Sequence, residues 1–192
     1  MKVNIAGYNI DKELIDKLQS PLATPELISA SYARISRSNK SIADLRKEAM
    51  MELEKARKTN TDIIFSMGHS SVAEHSVFNI DLSGISRALT ELVEHSRIAS
   101  FTEKSQRYVT FNKDYVVPPE FANRPKLKQP YQKLMDKLFA EYELCYLALN
   151  EFYKEQKPEL KTRERECLAK EDARYILPLS TKTQLGMTIN AR

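Results

Sequence analysis

At 192 residues the chain is about one domain long and can bury a core without disulfides or a metal. Its 42% hydrophobic and 29% charged residues are ordinary for a soluble globular protein, and a net charge of +4 suits anionic small ligands without demanding nucleic acid. The longest apolar runs are a few residues, which excludes a transmembrane helix, and four glycines leave no Gly-rich phosphate loop of the Rossmann or P-loop type. The N-terminus lacks the continuous apolar segment of a signal peptide, and Cys145 and Cys167 have no metal-ligand spacing, so they are expected to be reduced thiols in a cytoplasmic protein without a membrane partner.

Residues 2–7 alternate and predict a first strand with Val3 and Ile5 inward. Thr24-Pro25-Glu26 predicts a helix start, with Thr24 as the cap and the helix running to about Ser36. Ser41 is a second cap with Asp44 three residues on. Ile42, Leu45, Ala49, Leu53 and Ala56 then form one apolar stripe, and Arg46, Lys47, Lys55, Arg57 and Lys58 are read as a solvated face. Thr61-Asp62 opens a short third helix that Gly68 ends. GHSSVAEH, residues 68–75, carries two His and one Glu, but His69 and His75 are six apart and share no helix face, so no metal site is expected. The bland reading of His75 is a hydrogen-bonded residue under the next strand, and of Glu74 an exposed helix acid.

Residues 77–82 alternate as a half-buried strand, which Ser83-Gly84 is expected to break. Ile85 to Glu94 is helical, with Ile85, Ala88, Leu89, Leu92 and Val93 at spacings of three and four, and His95 lies at its C-terminal end. Next comes a stretch rich in hydroxyl, amide and charged residues, HSRIASFTEKSQRY, residues 95–108. Its Arg, Ser, Thr and Gln side chains can grip phosphate oxygens and the edge of a base. A polar loop leading into an edge strand fits the same residues, and QRYVTF, 106–111, alternates as that strand. Pro118, Pro119 and Pro125 mark a connection, without a linker that would split the chain. A long helix is predicted from Gln129 to about Gln156, with an aromatic-rich stripe read as packing, and Pro158 stops it. Thr162 caps a further helix to Tyr175, and residues 183–190 alternate as a last strand. A strand at the terminus with no closing element suggests a truncated chain or a piece of a longer one.

GHSSVAEH, then GISRA, RIASFTEKSQRY, EDARYILPL and TINAR, in that order, resemble the flavin-dependent thymidylate synthases over roughly residues 61–192. The resemblance implies an α+β fold, a central and mainly antiparallel sheet with flanking helices, in one domain spanning 1–192. It implies a homotetramer that holds FAD and converts dUMP to dTMP with methylenetetrahydrofolate and NADPH, without a protein nucleophile and without nucleic acid. By the same resemblance, His69, Ser71, Arg97, Glu103 and Asn190 would contact the flavin. Glu103, Ser105, Gln106, Arg107 and Arg174 would hold dUMP, with Arg192 following the flavin-contacting Asn. The catalytic Arg of the family would lie beyond Arg192, on a C-terminal helix missing here, so no residue of this chain is assigned that role.

The family signature has an Arg-His-Arg triplet where this chain reads His95-Ser96-Arg97; ahead of it Leu92 stands where the family commonly has Gln, and Glu91 where a neutral or basic residue is usual. Two donors lost near a phosphate cost about 3–6 kcal/mol, at about 1.5–3 kcal/mol for each charge-assisted hydrogen bond. Two readings follow. The chain is an FAD-dependent thymidylate synthase, or it is a non-catalytic relative: a flavin- or nucleotide-binding or assembly module, or the N-terminal half of a longer tandem protein.

Overall fold

The computed structural model describes residues 1–192 except Leu18, Pro21, Ser36, Arg37 and Ala122, and of Asp16 the backbone alone. Four strands form one sheet in the order β1-β2-β4-β3: β1 is Lys2–Tyr8, β2 is Val77–Ser86, β3 is Ala99–Glu103 and β4 is Lys182–Asn190. The end of β1 meets the start of β2 (Asn9 N–H to the Val77 carbonyl, 3.1 Å) and the end of β4 meets the same start (Ala191 N–H to the Ser76 carbonyl, 2.9 Å). Lys104 N–H reaches the Gln184 carbonyl at 3.0 Å, so the end of β3 lies by the start of β4 and the pairing is antiparallel. The architecture is α+β, as the sequence leads one to expect.

The chain divides into two compact units, one holding Val3–Asp81, Ile98–Phe101 and Gly186–Arg192, the other Met1–Lys2, Leu82–Arg97 and Thr102–Leu185. In the first, the N-terminal unit, α1 (Glu26–Ala33), α2 (Ile42–Met51) and α3 (Leu53–Thr61) pack together. Leu14, Leu27, Ala30, Ala49 and Ala56 form their core, with Leu22, Met50 and Leu53 against it. The alanines let the helix backbones approach closely. The predicted single helix over 42–56 is interrupted at Glu52, which leaves helical geometry (φ −124°, ψ 54°). Ser41 caps α2 as expected, accepting from Asp44 N–H at 3.2 Å. Thr24 does not cap α1. Pro25 holds the cap position without a side-chain bond, and the expected helix end at Ser36 lies outside the described residues, α1 closing at Ala33. The expected solvated basic face holds for the exposed Lys47, Lys55 and Lys58 and is corrected at two positions. Arg46 forks onto the buried Asp11 (Nε to Oδ2 2.6 Å, Nη2 to Oδ1 2.5 Å), and Arg57 pairs with Glu26. β1 is an edge strand, and Val3 and Ile5, predicted inward, are 56% and 62% exposed.

The C-terminal unit begins in the far half of β2. Ser83-Gly84 does not break that strand, because Gly84 takes φ +64° within it and the backbone of Met1 passes close by. The following helix, α4, is Arg87–Glu94, capped by the Ser86 hydroxyl, which accepts from Leu89 N–H at 3.2 Å, while Ile85 stays in the strand. Of the predicted α4 stripe, Leu92 is 71% exposed, and the fully buried side chain is Thr90. The long helix α5 runs Pro125–Gln156, starting before the predicted Gln129, and packs on α6, Thr162–Ala173. Met135, Phe139 and Tyr142 of α5 and Ala169 and Ala173 of α6 are buried. Among the described residues no helix is long and apolar enough to cross a membrane.

Candidate functional site

The polar stretch 95–108 folds differently from its prediction. His95 closes α4 as the C-cap, as read from the sequence. The strand that follows is β3, ASFTE, not 106–111, where Gln106, Arg107 and Tyr108 form a turn. Ala99, Phe101 and Glu103 are half-buried while Ser100 and Thr102 are exposed, a period of two that the small hydroxyl residues mask in the sequence.

The turn carries one cluster. The Ser105 hydroxyl accepts from Arg107 N–H at 3.2 Å, and the Arg107 guanidinium lies 3.6 Å from the Glu171 carboxylate on α6. Arg174, one residue past α6, donates from Nε to the Glu171 carbonyl at 3.2 Å. Of the two sequence-predicted arginines, Arg107 thus pairs with the Glu171 side chain while Arg174 bonds the backbone of the same residue, and each guanidinium also lies over the neighbouring tyrosine ring, at 5.6 Å for Arg107 and 5.5 Å for Arg174. Gln106 is half-buried in the same turn. Guanidinium edges together with the Ser105 hydroxyl and the Gln106 amide are donors of the kind that hold an anion. Glu171 carries no local sequence signal beyond its place in EDAR, and residue reading alone overlooks it.

Glu103 ends β3 and contacts Arg87 on α4, which also faces Glu91 at 3.6 Å. Burial holds the Glu103 carboxyl above the ordinary range, and Arg87 opposes that only in part. Arg87 was assigned no role from sequence, although it stands in the GISRA block. Arg97 is exposed, with no hydrogen bond or ion pair to another described residue.

The N-terminal unit carries the second cluster. His69 precedes a 3-10 turn over Ser70–His75, after Gly68 (φ +73°) ends the helical run, and its N–H donates to the Ile63 carbonyl at 3.0 Å. Ser71 is exposed. His75 is not tucked under a strand: its ring is exposed and edge-on to Tyr32 at 4.8 Å, and its carbonyl accepts from Asn9 at 2.9 Å. Glu74 is not a free surface acid but pairs with Arg192. Asn190 accepts through Oδ1 from Arg192 N–H at 3.0 Å, which leaves its amide NH2 as a donor. Beside them Ser70, Ala73, Ser76 and Arg192 line a cavity of about 390 Å³ together with Ser29, Phe65 and Phe78, and His69, Ser71 and Asn190 are not among its lining residues. Its lining mixes aromatic walls, Ser hydroxyls and one guanidinium. Of the five residues expected at the flavin, His69, Ser71 and Asn190 belong to this unit, and Arg97 and Glu103 to the C-terminal unit. No group of three or more His, Cys, Asp or Glu suited to a metal occurs among the described residues.

Residues 13–192 match the family model described as thymidylate synthase complementing protein. The chain is 32% identical over 177 residues to a flavin-dependent thymidylate synthase of Clostridium tetani, covering 92% of this chain and 69% of that protein. With coverage of 69%, 67% and 65% of three such enzymes, the chain spans about two thirds of the length of the curated relatives it matches. A UMP/dUMP methylase, PolB, from Streptomyces cacaoi, solved with 5-Br dUMP, superposes with a TM-score of 0.68 at 18% identity, over 99% of this chain and 72% of that one. Thymidylate synthase X from Helicobacter pylori, solved with FAD and dUMP, gives 0.55 at 20% identity, over 100% and 79%. At these identities the two structures show the fold.

Proposed function

The chain belongs to the thymidylate synthase complementing protein family, the flavin-dependent thymidylate synthases, and from that premise we propose that it binds FAD and dUMP for the reductive methylation of dUMP to dTMP. Methylenetetrahydrofolate would be the one-carbon donor and NADPH the reductant, in a cytoplasmic homotetramer. The observation that carries the reading is that Arg107, beside Ser105, reaches the Glu171 carboxylate on α6, the residue whose backbone carbonyl also holds Arg174.

Arg107 and Arg174 would bind the dUMP phosphate, each presenting the guanidinium edge that Glu171 leaves open. Ser105 and the turn amides would add short donors, and Gln106 and Glu103 the polar contacts to the nucleotide. FAD, when bound, supplies the hydride chemistry. His69, Ser71, Asn190, Arg97 and Glu103 would hold it, Asn190 through its free NH2 and Arg97 through an uncommitted guanidinium. The protein's part is to fix two ligands in register and exclude water, which converts a bimolecular encounter into an oriented one.

The second reading, a binding relative without turnover, is favoured by His95-Ser96, which replaces two cationic donors. Titration with dUMP and with FAD, followed by a dTMP assay with methylenetetrahydrofolate and NADPH, separates the two. Binding of both ligands with slow dTMP formation is the expected outcome, given the lost donors, and binding of both without any dTMP would favour the second reading. Turnover at the rate of ordinary enzymes would show those losses to be compensated.

A further inference from the structure

β1 closes one side of the sheet and has β2 as its single neighbour. Asn9 N–H bonds the Val77 carbonyl, which sets Asn9 opposite Val77 in an antiparallel pair. Counting back by twos, Gly7, Ile5 and Val3 turn their backbone groups to β2, while Tyr8, Ala6, Asn4 and Lys2 turn theirs to the open edge. A Cβ on Gly7 would meet the Asn79 Oδ1 at 3.8 Å, which fits the same register. All four outward residues are exposed, and no described loop or side chain bonds to their backbone.

Edge strands are usually guarded by a proline, a central charge or a covering helix or loop. β1, KVNIAGY, has no proline, and its one charge is Lys2 at the end. It carries instead Val3 and Ile5, 56% and 62% exposed and on one face. Such an edge is a template for a further strand.

The residues of β1 fit a second copy of themselves. One antiparallel register places Ile5 opposite Ile5 of a second copy, joins the outward backbone groups and pairs all seven residues. Lys2 then faces Tyr8 of the second copy, so the charge meets a phenol ring and not its own like. Val3 faces Gly7 and Asn4 faces Ala6, a larger side chain against a smaller one each time. Sliding the pair by two residues leaves Gly7 and Tyr8, or Lys2 and Val3, beyond the end of the partner strand.

We propose that β1 joins two copies of this chain, its open edge pairing antiparallel with β1 of the second copy about a two-fold axis at Ile5. The two four-stranded sheets then run into one. This would give the proposed homotetramer one of its interfaces. It holds for a dimer as well and does not depend on flavin or nucleotide binding.

The test is the mass of the full chain by light scattering, with cysteine cross-linking to fix the register. Ala6→Pro removes one outward N–H and places a ring on the edge without touching a bond to β2. The wild type should be an even-numbered assembly, and Ala6→Pro should have half its mass with unchanged far-UV circular dichroism. Ile5→Cys should form a covalent dimer under mild oxidation, because opposite Cα atoms at such a site lie about 4.5 Å apart, within a disulfide's span. Val3 lies about 14 Å from Val3 of the second copy in this register, at about 3.4 Å per residue along the strand. Val3→Cys should therefore cross-link no more than the wild type, whose Cys145 and Cys167 set the background. A monomeric wild type, Ala6→Pro at wild-type mass, or Ile5→Cys cross-linking no better than Val3→Cys would each overturn the inference.

Discussion

Replacing Arg46 by Met isolates an ion pair of the N-terminal unit that buries its carboxylate. Asp11 has a side chain only 1% exposed and takes both of its guanidinium bonds from Arg46, at 2.6 and 2.5 Å. Without Arg46, the carboxylate keeps the Glu13 N–H at 3.0 Å and little else. Stranding one partner of a buried pair costs about 3–5 kcal/mol. Arg46 itself is 26% exposed, so solvent screening brings the expected loss to about 2–4 kcal/mol. With a urea slope of about 2 kcal/mol per molar, the unfolding midpoint should fall by about 1–2 M. The pair Asp11→Asn with Arg46→Met should recover most of that, because no buried charge remains. Arg46 also depresses the Asp11 carboxyl below its ordinary value. Its stabilisation is therefore present above the ordinary carboxylate pKa and disappears as pH falls through the lowered one, so the wild type should lose stability in acid more steeply than the double variant. A loss under about 1 kcal/mol in Arg46→Met, or a double variant as weak as the single, would refute the reasoning.

Glu103 gives the opposite pH signature. Burial raises its carboxyl, so the folded chain holds that proton more tightly than the unfolded one and stability falls as pH rises from the ordinary value through the raised one. Thermal midpoints across pH 4 to 7, roughly the range where carboxyls raised by burial titrate, should show that component in the wild type and not in Glu103→Gln. Ser29→Ala, at a fully buried hydroxyl that donates to the Val72 carbonyl at 2.8 Å, should cost about 1–3 kcal/mol in chemical denaturation. Arg107→Ala should weaken dUMP more than FAD in parallel titrations; equal effects would remove Arg107 from the nucleotide grip.

The long helix α5 and the last strand β4 were legible because their apolar periods, 3.6 and 2, run uninterrupted over many residues. β3 was not. In ASFTE the alternation is carried by one Phe and one Ala, while QRYVTF next to it alternates without a sheet partner and folds as a turn. Pairing with β4 decides between them, and pairing is a long-range property. The same limit hides Arg46 and Arg57. A basic helix face looks alike whether it meets water or carboxylates, and their partners Asp11 and Glu26 lie 35 and 31 positions away. Of the candidate site, the motif blocks name His69, Ser71, Arg107, Arg174 and Asn190 as expectations, but the carboxylates that pair with two of the arginines, Glu171 with Arg107 and Glu74 with Arg192, emerged only in three dimensions.

The central claim is that this chain binds a flavin and a pyrimidine nucleotide. Equilibrium titration of the purified wild-type protein with FAD and with dUMP tests it most directly. The account predicts saturable uptake of both and a yellow protein. A colourless protein that takes up neither would contradict it.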